Sequence, residues 1–200
     1  MAGHTKEREW ILHAMQGDDN AFARVVEAYQ VPVYNLCYRM LGEPREAEDA
    51  AQETFLKAYR GLSRYDPERS FTTWLLSIAS HHCIDRLRRK RFVTLPLEDL
   101  LPSQEKPYAV PGPEGVLVSM ESQEAVRGLL QHLGRIDRAA IVLRYWYEMS
   151  YEEISQSLSI SVSAVKSRLH RARRELATHW MERESRVFTS RGRRDEASAF

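Results

Sequence analysis

Only two cysteines occur in the 200 residues, Cys37 and Cys83. They are too few for a disulfide framework and read as buried thiols of a reducing compartment. Long apolar runs are missing as well, so no segment spans a bilayer and membrane insertion is excluded. Nor does an apolar signal segment follow Met1, because His4, Lys6, Glu7, Arg8 and Glu9 interrupt it, and the chain is expected in the cytoplasm. Net charge is nearly absent at +1, so nucleic-acid binding would have to come from charge segregated along the chain. A catalytic constellation is lacking too: Ser70, Ser77 and Ser80 have no base and orienting group clustered around them, and the chain reads as a non-enzyme. His81-His82-Cys83 invites a metal reading. Adjacent helical residues point in different directions, however, so the tripeptide alone makes no tetrahedral site, and neither metal nor cofactor is expected.

What charge there is lies in blocks. Arg86 to Arg91 holds five basic residues in six, whereas Glu43 to Glu53 holds five acids against Arg45 alone. The asymmetry therefore carries more information than the total. A hydrophobic content of 43% is enough for ordinary cores, in one large domain or two small ones.

The most specific pattern runs from Ser150 to Arg174. Ser150 and Glu153 have the spacing of a capping box, in which hydroxyl and carboxylate reciprocally satisfy free N–H groups at a helix start. Tyr151, Ile154 and Leu158 follow at helical spacing, Ser159-Ile160-Ser161 makes a turn, and Ser161 suits the N-cap of a second helix. In that helix Val165, Leu169, Ala172 and Leu176 recur at intervals of four, three and four, one buried stripe. The opposite face carries Ser163, Ser167, His170 and Arg174, flanked by Lys166 and Arg171. Five Lys or Arg and no acid occur from Val162 to Arg174, which attracts phosphates, and serine, lysine and arginine can hydrogen-bond base edges. The unit reads as a helix-turn-helix whose second helix enters a DNA major groove, rather than as a solvated surface helix.

Two helical halves and a hinge follow from the rest of the pattern. Apolar stripes at 21–29 and 33–41, a helix opened by Glu43-Pro44 and lined by alanines, a Gly/Ser/Asp/Pro loop at 61–70 and a final helix from Phe71 to Phe92 make the first half all-α. Residues 93–118 hold five prolines, two glycines and four acids against Lys106, with no periodicity, and read as a linker. Two helices at 122–133 and 138–147 join the helix-turn-helix in a compact four-helix domain ending near Met181. Residues 182–200 are charged with few apolar positions and read as a disordered tail. The expected fold is all-α, with domains at 10–92 and 119–181.

Three motifs in this order resemble bacterial sigma factors of the extracytoplasmic-function group. They are Glu48-Asp49-Ala50-Ala51-Gln52-Glu53-Thr54-Phe55; Phe71-Thr72-Thr73-Trp74-Leu75 followed by Ile84-Asp85-Arg86-Leu87-Arg88-Arg89; and Tyr151-Glu152-Glu153-Ile154 followed by Val165-Lys166-Ser167-Arg168-Leu169-His170-Arg171-Ala172-Arg173. The resemblance covers about residues 10 to 181. It implies an initiation factor whose N-terminal domain binds core RNA polymerase and opens the minus-ten element, while the C-terminal domain reads the minus-thirty-five element in double-stranded promoter DNA. It further implies that the linker enters the polymerase RNA path and that an anti-sigma factor regulates the protein.

On that resemblance Lys166, Ser167, His170 and Arg171 are base and phosphate contacts, with Ser163 on the same face and Arg173 and Arg174 on phosphates. Glu46, Asp49, Gln52 and Glu53 lie on the exposed side of one helix, able to pair with basic groups on polymerase or simply solvated. For the melted non-template strand, the loop from Arg64 to Ser70 with Tyr65 faces a base, Trp74 is assigned to the core, and Arg86, Arg88, Arg89 and Arg91 hold the backbone. His81 stands where relatives often have Asn, a position that bears on minus-ten preference. The linker acids Glu98, Asp99, Glu105 and Glu114 either imitate phosphate in an RNA channel or solvate a spacer. Two rival readings remain: a stand-alone helix-turn-helix regulator, which needs no polymerase and usually dimerises, and a recombinase using the same reading domain, which needs a catalytic cluster in the first half.

Overall fold

The computed structural model describes residues 2–92 and 124–197, with side chains from 6 to 90 and from 124 to 183. The proline-rich segment and its acids lie outside the described residues. Helix α1 spans Ala2–Met15, α2 Asp19–Leu41, α3 Pro44–Gly61 and α4 Phe71–Phe92. After the gap come α5 at 124–132, α6 Arg135–Trp146, α7 Tyr151–Leu158 and α8 Val162–Ala197.

Local chemistry explains most of these boundaries. Asp18 accepts from the N–H groups of Asn20 and Ala21 at 2.9 and 3.1 Å and starts α2. Glu43 does the same for α3, with Pro44 in the first turn. The two apolar stripes around Pro32 belong to one helix, which passes through the proline without ending. Gly42 then closes α2 at φ 81°, a left-handed conformation that favours glycine, and a Cβ there would also displace the Gln131 amide, which lies 2.3 Å from its position.

In the first half α1 contributes Trp10, Ile11, Ala14 and Met15, a stripe packed on the core from residue 10 onward. Helix α8 continues to Ala197 through the stretch whose composition reads as a disordered tail; between 182 and 197 it holds no proline, a single Gly192, and five arginines and three glutamates of high helix propensity.

The halves also do not stand apart. One apolar cluster runs from Leu36, Met40, Leu75 and Leu76 into Leu130, Ala140, Leu143 and Ile154. Polar staples cross the seam. Tyr147 Oη donates to the Pro32 carbonyl, Arg127 donates to Tyr38 Oη at 3.3 Å, and Thr73 Oγ1 donates to Glu153 Oε1 at 3.2 Å. The buried Arg138 guanidinium donates to Met40 O at the end of α2 and to Gln131 O and Leu133 O at the end of α5. A cation capping two helix C-termini satisfies carbonyls that have no intrahelical partner and opposes the negative ends of both dipoles. Burial lowers the Arg138 pKa, consistent with a guanidinium held by carbonyls rather than carboxylates.

Candidate nucleic-acid interface

The segment from Ser150 to Arg174 folds as two helices because its caps and its apolar spacing agree. Glu153 N–H donates to Ser150 Oγ at 3.1 Å and Ser150 N–H donates to the Glu153 carboxylate at 2.8 Å. The backbone bond above all holds the Glu153 carboxyl below the usual carboxylate range. Ser159 turns the chain at φ 54°, and Ser161 Oγ caps α8 through the Ala164 N–H at 3.2 Å. Ile154, Leu158, Val165, Leu169 and Ala172 are buried, and Leu176 packs against them. Ser163, Lys166, Ser167, His170, Arg171, Arg173 and Arg174 all face solvent. Lys166 and Arg144 lie over the Tyr151 ring at 5.8 and 5.2 Å, which ties the cationic face to the start of α7.

One exposed arginine of this face has a partner that sequence spacing does not reveal. Asp137, in the first turn of α6, accepts from Arg171 Nε at 3.1 Å and Nη2 at 2.9 Å, and from Arg168 Nη1 at 2.7 Å. The Asp137 side chain is 9% exposed, Arg168 30% and Arg171 60%, so the carboxylate lies beneath two arginines of which the outer one still reaches solvent.

The acidic face of α3 and the basic end of α4 meet each other. Arg86 lies 3.3 Å from Asp49 and 4.0 Å from Glu46, and Lys90 Nζ lies 2.6 Å from Glu46. Glu46 is therefore an internal pairing residue, whereas Asp49, Gln52 and Glu53 stay exposed. On α4, Arg88 pairs with Asp85 at 3.1 Å, Arg89 is exposed, and the Arg91 side chain lies outside those described. His81 is exposed, with Nδ1 2.9 Å from the Ser77 carbonyl.

One aromatic residue reverses an expectation. Tyr65, assigned to face a base, is 5% exposed. Its ring packs edge-on against Phe71 at 5.3 Å and against Trp74 at 5.0 Å, while its hydroxyl donates to the Arg69 carbonyl. Trp74, assigned to the core, does pack against it half-buried, and its outer side borders a cleft of about 370 Å³ between α4 and α7, together with Ser70, Thr73, Ser77, Glu153 and Gln156. The physical reason is the return of the 65–70 loop onto its own Arg69 carbonyl, which draws the tyrosine inward and leaves the indole at the rim.

Comparison with known proteins agrees with this geometry. The chain matches Sigma-70 region 2 over residues 25–93 and Sigma-70, region 4 over residues 123–176. It is 38% identical over 172 residues to the ECF RNA polymerase sigma factor SigW of Bacillus subtilis, across 83% of this chain and 92% of that protein. The chain belongs to the extracytoplasmic-function (ECF) sigma factors. Another relative, the RNA polymerase sigma-H factor of Pseudomonas aeruginosa, is 31% identical over 179 residues, covering 86% of this chain and 93% of that one. Among solved structures, CnrH in complex with the cytosolic domain of CnrY is 25% identical with a TM-score of 0.64, and the likeness covers 88% of this chain and 98% of CnrH.

As an ECF sigma factor the protein binds core RNA polymerase and directs promoter-specific initiation without being an enzyme. Region 2 corresponds to α2–α4 and region 4 to α5–α8 up to residue 176. Among the described residues no helix is long and apolar enough to cross a membrane. Sequence reasoning missed the pairing of Asp137 with Arg168 and Arg171 in this sigma factor, and the position of Trp74 at the rim of the cleft. Asp137 lies 31 and 34 residues from its arginines, beyond any helical periodicity, and only the packing of α6 on α8 joins them.

Proposed function

We propose that α8 reads the minus-thirty-five element with Ser163, Lys166, Ser167, His170 and Arg171, with Arg173 and Arg174 on phosphates, and that α4 holds the melted non-template strand at the minus-ten element. The observation that supports this reading is the open cationic face of α8, which keeps its solvent exposure although its other face is fully packed. At the strand site Trp74 takes the stacking role first given to Tyr65, and His81, Arg86, Arg88, Arg89 and Arg91 follow the backbone. Asp49, Gln52 and Glu53 make the polymerase contact, with Glu46 fixing the basic end of α4. Polymerase and promoters place its action in the cytoplasm. CnrH is bound by the cytosolic domain of CnrY, and an anti-sigma factor is the expected antagonist here too.

The reading requires the halves to separate. The minus-thirty-five and minus-ten elements lie about 25 base pairs apart from centre to centre, on the order of 80 Å at about 3.4 Å per pair. In the closed chain α7 touches α4 directly, through Thr73 and Glu153. Residues 93–123 reach on the order of 100 Å when extended, enough to keep both halves on one promoter. Tethering then lets two weak contacts act as one strong one.

The test is a Lys166→Ala, His170→Ala double variant assayed as holoenzyme. Binding to the promoter should weaken at least tenfold, since each good base contact is worth about 1–3 kcal/mol, while affinity for core polymerase stays unchanged. Equal loss of both would show that this face is not the promoter reader.

A further inference from the structure

Arginine presents two bidentate edges: a side edge made by Nε and one terminal nitrogen, and an end edge made by the two terminal nitrogens. In Arg171 the side edge is taken, because Nε and Nη2 both donate to Asp137. Nη2 also lies 3.2 Å from Asp137 Oδ1, and the end edge keeps Nη1 without a partner among the described residues, on a side chain that is 60% exposed near Ser167, His170 and Arg174. Asp137 cannot swing with it. It is nearly buried, sits in the first turn of α6 where an anion is favoured, and is held from the other side by Arg168 at 2.7 Å.

From this geometry we infer that Asp137 is a positioning residue for promoter recognition: it locks the Arg171 fork so that the free end edge meets a base with two acceptors in the major groove, the O6 and N7 pattern of guanine. The inference rests on the reading of α8 as the promoter-reading helix. An unheld arginine on a helix surface samples many rotamers and meets phosphates as readily as bases; one clamped along its side edge has a single approach direction and loses less freedom on binding. Asp137 also cancels one positive charge, which by itself weakens attraction to any DNA. Discrimination is thus gained while general affinity is given up, and the two effects can be separated by measurement.

The experiment uses full-length protein assembled with core polymerase. Its probes are a promoter duplex selected from a random pool by the wild-type holoenzyme and a scrambled duplex of equal length, across a range of salt. Asp137→Asn, Arg171→Ala, Arg171→Lys and the Asp137→Asn, Arg171→Ala double variant are compared for the ratio of the two affinities. Asp137→Asn is expected to lower the ratio about tenfold while binding the scrambled duplex more tightly. Arg171→Lys, which keeps the charge and the ion pair but not the fork, should lose as much discrimination with little change in melting temperature. In the double variant, Asp137→Asn should add nothing to the loss already caused by Arg171→Ala. The inference is overturned if Asp137→Asn strengthens binding to both duplexes equally, with a steeper salt dependence and an unchanged ratio, because Asp137 then only screens charge. Retained discrimination in Arg171→Lys, or a further loss in the double variant, overturns it as well. If Arg171→Ala leaves the ratio intact while the Lys166, His170 double variant lowers it, the inference falls and α8 remains the reader; if neither lowers it, the reading of α8 falls too.

Discussion

Replacing Arg138 with methionine should loosen the seam between the two halves of the protein. Its guanidinium makes three hydrogen bonds to carbonyls, to Gln131 and Leu133 at the end of α5 and to Met40 at the end of α2. At about 1 kcal/mol net for each, the loss amounts to about 3 kcal/mol. Two of the acceptors belong to the same half as Arg138, so about 2 kcal/mol is local and about 1 kcal/mol couples the halves. Methionine keeps much of the apolar stem and removes a buried charge whose pKa burial already depresses, which places these figures at the upper end. The four tryptophans make the assay direct, because Trp10 and Trp74 lie in the first half and Trp146 and Trp180 in the second. Urea unfolding followed by fluorescence, in variants that retain one pair or the other, should show coincident transitions in the parent protein. In Arg138→Met the second pair should report unfolding at lower denaturant than the first. If both midpoints move by less than the equivalent of about 0.5 kcal/mol, a guanidinium capping two helix ends carries no weight in the seam, and the packed apolar side chains alone hold it.

Two further outcomes follow from the site geometry. Tyr65→Phe, which removes a hydroxyl bonded inside its own loop, should cost about 1 kcal/mol of stability and leave open-complex formation unchanged, whereas Trp74→Ala should weaken single-strand binding by about 1–3 kcal/mol; the opposite order in a strand-binding titration would restore Tyr65 as the base-facing ring. Glu153 has a folded pKa below its unfolded value of about 4.3, so its stabilisation is present above that value and vanishes as pH falls through the lower folded one. Glu153→Gln keeps both capping bonds and should flatten the acid side of the stability profile, and an unaltered profile in a pH series of melting curves would refute the assignment.

Much of the fold was legible because its signals are local. Capping residues sit within three positions of the N–H groups they satisfy, and an apolar stripe repeats every three or four residues, so Glu43, Ser150 and Ser161 announced helix starts before any packing was known. The same periodicity divided α8 correctly into a buried stripe and a solvent face. The charge blocks were legible as well, but not their partners. The acids of α3 and the bases of α4 read as two separate interaction surfaces, and the structure pairs Asp49 with Arg86 and Glu46 with Lys90 across more than thirty residues of chain.

The sequence by itself determined an all-α chain with two functional halves, the position of the DNA-reading helix and the family, because each depends on spacings within one or two helical turns or on motifs read in order. Tertiary structure alone decided which ring lines the cleft, that the halves close on each other through Arg138 and Thr73–Glu153, and that Arg171 is held by Asp137. These depend on which faces of distant helices meet. A contact between residues 31 or 98 positions apart leaves no periodic trace in the chain; it exists only once burial of the apolar stripes has brought the helices together.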